Sequence, residues 1–118
     1  MESRMGSIAA PGVAGGSTPH EEAASLARDV VRTAWKGSLG TIARDGGHPY
    51  GSLVALACAH DGSPLLLLSD LAEHSKNIAA DARASVLVDG TGLGPQALTG
   101  TRVTLVGRVA RTEDPAAR

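Results

Sequence analysis

Four consecutive leucines, Leu65–Leu68, closed by Ser69-Asp70, constrain this chain more than any other stretch. A short unbroken apolar run bounded by turn residues reads as a strand covered on both faces. The residues from Leu71 to Arg83 are mostly polar or small, and they lead into a second apolar run, Val86-Leu87-Val88. Asp70 and Glu73 have the three-residue spacing of a capping box, which predicts a helix start with Asp70 as the cap. The stretch therefore reads as strand, short capped helix, strand. The start of such a helix exposes unpaired backbone N–H groups, and His74, Ser75, Lys76 and Asn77 lie in its first turns. That setting suits an anionic group such as a phosphate.

The remainder of the chain reads as a sheet built around this turn. Met1 to Ser17 is rich in Gly, Ala, Ser and Pro and is predicted to be a disordered tail, with the folded domain spanning 18–118. Thr18, Pro19 and Glu21 form a second helix start, and Ala23, Leu26, Ala27, Val30, Val31 and Ala34 keep an i, i+3, i+4 spacing. Trp35 closes that face and Gly37 is placed to end the helix. Strands follow at Ser38–Ala43, His48–Ala59, Leu65–Leu68, Ser85–Asp89 and Thr101–Thr112. Asp45-Gly46 and Asp61-Gly62 mark the turns between the first three. In the last strand Val103, Leu105, Gly107 and Val109 oppose Arg102, Thr104, Val106 and Arg108, the alternation of a half-exposed strand. The loop from Gly90 to Gly100 is Gly-rich, but it lacks the Gly-Lys-Ser ending and following helix of a phosphate loop. Asp114-Pro115 reads as another helix start just before Arg118, which suggests a domain that continues beyond this sequence. Five strands in hairpin order with few helices predict a mainly β, antiparallel barrel.

Composition narrows the function. Eleven Lys and Arg against twelve Asp and Glu, with no long charged tract, argue against a nucleic-acid partner. One Trp, one Tyr and no Phe leave no aromatic platform for stacking bases. The single cysteine, Cys58, forms neither a disulfide framework nor a metal cluster and reads as a buried thiol. No apolar run approaches the ~20 residues that span a bilayer, and the N-terminus lacks a signal peptide, so no membrane association and a cytoplasmic location are expected. No Ser/His/Asp or paired-carboxylate arrangement stands out. Any chemistry is then carried by a cofactor that the protein positions.

Four blocks carry a family likeness: Gly47–Val54, Leu67–Asn77, Asp81–Ser85 and Arg102–Arg108. In their order and spacing they resemble the FMN-binding split barrels of the pyridoxamine 5′-phosphate oxidase superfamily, most nearly the haem-iron-utilisation (HugZ-type) branch. The likeness runs from Glu22 to Arg118. It implies a Greek-key-like split β-barrel, here lacking its last strand, that forms a homodimer with its cofactor at the subunit interface. It implies FMN as that cofactor, with haem as the alternative, and an FMN-dependent oxidoreductase acting on an unknown small molecule. A haem-binding or haem-degrading protein and a non-catalytic dimeric module are the other readings. The resemblance further implies that Tyr50, Ser52, Leu53 and Val54 lie along the flavin ring. By the same likeness Ser69, Asp70, His74, Ser75, Lys76 and Asn77 hold the ribityl chain and phosphate, and Arg102 reaches the ring. Many members carry an Arg-x-Lys pair where this chain has Ala72 and His74, which leaves Lys76 as the one fixed cation of the segment.

Overall fold

The computed structural model describes residues 3–9, 18–91 and 100–112. Strand β1 (Ser3–Ala9) is followed by helix α1 (Thr18–Thr33) and strands β2 (Lys36–Ile42), β3 (Pro49–Cys58) and β4 (Pro64–Ser69). Helix α2 (Glu73–Ala80) then leads to strands β5 (Arg83–Gly90) and β6 (Thr101–Arg111). All six strands are antiparallel and close into a barrel in the order β1-β4-β3-β2-β5-β6. The predicted mainly β antiparallel barrel is the fold observed.

Alternation fixes which side chains fill it. In β2, Gly37, Leu39 and Thr41 point inward, and in β5, Ala84, Val86 and Val88 do the same. Leu39, Leu66, Val86 and Val88 have no meaningful exposure, and with Val54, Leu56, Leu68 and Val109 they form one aliphatic core. Burying side chains of this size contributes about 1.5–3 kcal/mol each. The β2–β3 hairpin turns through Gly46 and Gly47 at φ 81° and 71°, the left-handed region that glycine enters without a steric penalty. The β3–β4 turn uses Gly62 at φ 91°, with the Asp61 carboxylate accepting from the Ser63 N–H at 2.9 Å.

Several expectations are corrected. The disordered tail does not extend over Ser3–Ala9. That segment is a strand between β4 and β6, so the barrel has six strands and is closed where a missing last strand was predicted. Two open edges present rows of unpaired N–H and C=O groups, and pairing them outweighs the poor strand propensity of Ser3, Gly6 and Ser7. Residues 10–17, most of the Gly-rich loop and the helix start at Asp114 lie outside the described residues. Helix α1 ends at Thr33, not at Gly37, because Lys36 and Gly37 already pair with Ala55 and Val54. Trp35 is consequently exposed, with the Lys36 ammonium 4.9 Å from its ring centroid. Only the end of α1 meets the barrel: Val31 is buried and Val30 and Ala34 pack beside it, whereas Leu26 is exposed. The four-leucine strand is covered on both faces only in part: Leu65, Leu66 and Leu68 are buried, whereas Leu67, on the same face as Leu65, is exposed. Cys58 is half-buried with a free thiol.

Candidate functional site

The structure separates the predicted site residues into three places. The first is the turn into α2. Helix α2 starts at Glu73 with Ala72 as its N-cap, and no side chain caps it, so the predicted Asp70–Glu73 capping box is not formed. Asp70 instead accepts from Arg111 at 3.0 Å, and Glu73 accepts from Arg44 Nε at 3.1 Å. The hydroxyls here serve the local backbone: Ser75 Oγ donates to the Ser69 carbonyl at 2.5 Å, and Ser69 Oγ accepts from the Leu71 N–H at 3.3 Å. Asn77 is fully buried; its Oδ1 accepts from the Arg44 N–H at 3.0 Å and its Nδ2 donates to Thr41 Oγ1 at 3.1 Å. Its amide thus ties α2 to the end of β2. His74 is partly buried with no hydrogen-bond partner on Nε2, and burial lowers its pKa below the usual value. Lys76 is exposed on the same helix.

The second place is β3. Tyr50 and Leu53 are exposed, Ser52 Oγ is buried without a partner, and Val54 belongs to the core. The third is the β5–β6 ladder, where Arg102 stands directly opposite Asp89. Both line a small cleft of about 190 Å³ with Ser38 and Leu87, apart from the α2 turn. Asp89 also accepts from the backbone N–H and hydroxyl of Thr91, which lowers its pKa.

A larger cleft, about 370 Å³, lies on the outer face of β2, β5 and β6. Its floor is low because Gly40 and Ser85 are register partners on β2 and β5, with Val106 next to Ser85 on β6. A Cβ on Gly40 would stand 2.7 Å from Ser85 Oγ, so a larger residue there would force the Ser85 hydroxyl to turn aside. Ile42, Gly47 and Pro49, flanking the β2–β3 hairpin, raise one wall. Arg83 lies at the rim, forked onto Asp81 with Nη2–Oδ2 at 2.7 Å and Nε–Oδ1 at 3.1 Å. These hydrogen bonds and the added charge of Arg108 hold the Asp81 pKa at about 2. The arrangement offers a mostly apolar wall with the Arg83 guanidinium at one end, suited to a planar ligand with an acidic edge. Gly47, Arg83, Ser85 and Val106 fall within the blocks of family likeness, yet sequence reasoning gave them no site role. The outward alternation of β6 was their one legible signal.

Around this cleft the outer surface stays apolar. Leu53 and Leu87 both neighbour Ser38 across their strand pairs, and they are 72% and 43% exposed; Val106 is 58% exposed. Among the described residues, no group of three His, Cys, Asp or Glu side chains is placed to hold a metal ion, and no helix is long and apolar enough to cross a membrane.

Comparison with known proteins agrees with this fold. Over 95 residues, 75% of its length, the chain is 40% identical to the chloroplastic haem oxygenase HOZ of Arabidopsis thaliana, of which it spans 29%. It is 35% identical to a haem-binding protein from Mycobacterium smegmatis of known structure, with a TM-score of 0.72 over 90% of this chain and 42% of that one. A protein of unknown function from Agrobacterium tumefaciens is also 35% identical, with a TM-score of 0.68 over 85% of this chain and 42% of its own. The chain thus spans well under half the length of each of these relatives. The family model of the CREG β-barrel matches residues 18–117, and the chain belongs to that family.

Proposed function

We propose that this chain is a haem-binding split-barrel domain, working as a homodimer, with the haem seated in the cleft on the outer face of β2, β5 and β6. The observation that carries the reading is the pairing of Gly40 with Ser85 beside Val106, which leaves a level wall for a planar macrocycle. The described residues lining the cleft suit the body and acidic edge of such a group and include no iron ligand: Ile42, Pro49 and Val106 offer apolar contact, and Arg83 supplies positive charge at one end. Bound haem would supply a redox-active iron, while the protein supplies the wall, the charge and the exclusion of water. The haem-binding and haem-oxygenase relatives support the same cofactor class. Leu53, Leu87 and Val106 form an exposed apolar patch around the cleft, and a second copy laid against it would cover both the patch and the open side of the ligand.

FMN is the second reading, favoured by Lys76, a solvent-exposed cation on α2. Most other polar groups predicted to hold its phosphate are engaged within the fold, with Ser75 bonded to Ser69, Asp70 to Arg111, and Asn77 to Thr41 and Arg44, while His74 Nε2 has no partner. Parallel titrations separate the two. The haem reading predicts a shifted, saturable Soret band with ferric haem and no quenching of FMN fluorescence by the protein. FMN quenching without a haem spectrum would reverse the order. Loss of the Soret band on adding a reductant would extend the reading from binding to haem degradation.

A further inference from the structure

On the outer face of the β5–β6 ladder, Arg83 and Arg108 are direct register partners. Both are exposed, and both belong to the outward set of their strands. Like charges directly opposite on neighbouring strands repel, and an anion placed between them relieves that repulsion. The other end of the same ladder shows the ordinary solution, with Asp89 opposite Arg102. Among the described residues, the acid at the Arg83 end is Asp81, which is already forked by Arg83 and feels Arg108 as a second positive neighbour. Asp81 is thus bonded to Arg83, and Arg108 adds a second positive charge beside it, at the rim of the 370 Å³ cleft that Arg83 helps to line.

From this geometry we infer that Arg83 and Arg108 form a carboxylate dock, which takes the acidic edge of a planar ligand whose apolar body lies in the cleft. The inference rests on the cofactor class proposed above and names the part of the ligand that this end recognises. Arginine suits the task because its planar fork matches a carboxylate bidentately and stays charged at any physiological pH. Asp81 holds the Arg83 fork in place through Nε and Nη2 and through its acceptance of the Arg83 N–H at 3.1 Å. Arg108 is the arm that answers the ligand's charge without giving up that bond. Binding at this end is then anion-selective and weakens as salt screens it.

The test compares ferric protoporphyrin with its dimethyl ester, which keeps the ring and iron and lacks the free carboxylates. Each is titrated by Soret absorbance into the full chain and into Arg108→Gln and Arg83→Gln, with circular dichroism checking that both exposed-site variants fold. The dock predicts that the diacid binds wild type about tenfold or more tightly than the diester, the effect of losing a charged hydrogen bond. It predicts that Arg108→Gln removes most of that difference and leaves diester affinity unchanged. Equal affinity for the two porphyrins, or an equal loss of both in the variants, would overturn the dock while leaving the haem reading intact. Failure of wild type to bind either porphyrin would overturn both.

Discussion

Asn77 on α2 donates its side-chain amide to Thr41 Oγ1 on β2 at 3.1 Å, across 36 residues of chain, and both side chains are buried. The other end of the same amide accepts from the Arg44 N–H at 3.0 Å. One residue thus fixes α2 against the β2–β3 hairpin, and the hairpin supplies Gly47 and Pro49 to the cleft wall. Asn77→Ala leaves the part-buried Arg44 N–H and the buried Thr41 hydroxyl without these partners. The expected cost is about 2–3 kcal/mol, within the range for unsatisfied buried polar groups, and urea unfolding would measure it. Asn77→Asp should also destabilise, because a carboxylate has no donor for Thr41.

His74 gives a pH signature. Burial holds its folded pKa below the ordinary 6.5, and Nε2 has no partner to repay a charge. As pH falls through 6.5 the unfolded chain takes up the proton first. Stability is therefore lost progressively from that point down to the folded pKa, and above 6.5 the group imposes no penalty. His74→Gln should flatten this part of the slope of thermal midpoint against pH between about pH 7 and pH 5. An unchanged slope would place the titrating group elsewhere.

Gly90 tests the β5–β6 ladder at the end away from the cleft. A Cβ there would stand 2.7 Å from the Thr101 carbonyl oxygen, which is backbone and cannot swing aside, and 3.2 Å from the Val30 methyls. Gly90→Ala should therefore destabilise by about 1–3 kcal/mol, the range for overpacking. Gly47→Ala is a useful contrast: nothing stands within 4 Å, so its cost comes from the left-handed φ of 71° alone.

Leu53 tests the dimer. It is 72% exposed on the outer face of β3, and Ser38 separates it from Leu87 in the strand order. Leu53→Glu should leave thermal stability of the barrel nearly unchanged at low concentration and weaken self-association by about tenfold or more, as truncation of a central interface anchor does. Sedimentation equilibrium would measure it. A wild-type monomer at micromolar concentration would remove the dimer from the account.

The barrel was legible because its strands follow simple patterns. Thr101–Arg111 alternates residue by residue, and the Asp-Gly turns sit where β3 begins and ends. Strand β1 was not legible: Ser3, Gly6 and Ser7 carry no strand propensity, and their pairing is decided by the open edges of β4 and β6. The Asp70–Glu73 spacing suggested a cap, but Arg111 from a distant strand takes Asp70 and Arg44 takes Glu73. Short-range spacing could not reveal that competition. For the same reason Asn77 read as a ligand contact, although its partners Thr41 and Arg44 lie more than thirty residues earlier. The Arg83–Arg108 pair depends on the β5–β6 register, which no local sequence pattern states.

Paramagnetic broadening by the iron locates the ligand on the barrel. Ferric haem is added to isotopically labelled protein and the loss of amide signals is mapped along the chain. Haem in the outer cleft gives the strongest broadening at Gly40, Ser85 and Val106, with Ser69 to Asn77 largely preserved. Broadening centred on Ser69 to Asn77, with Gly40 and Ser85 untouched, would contradict it.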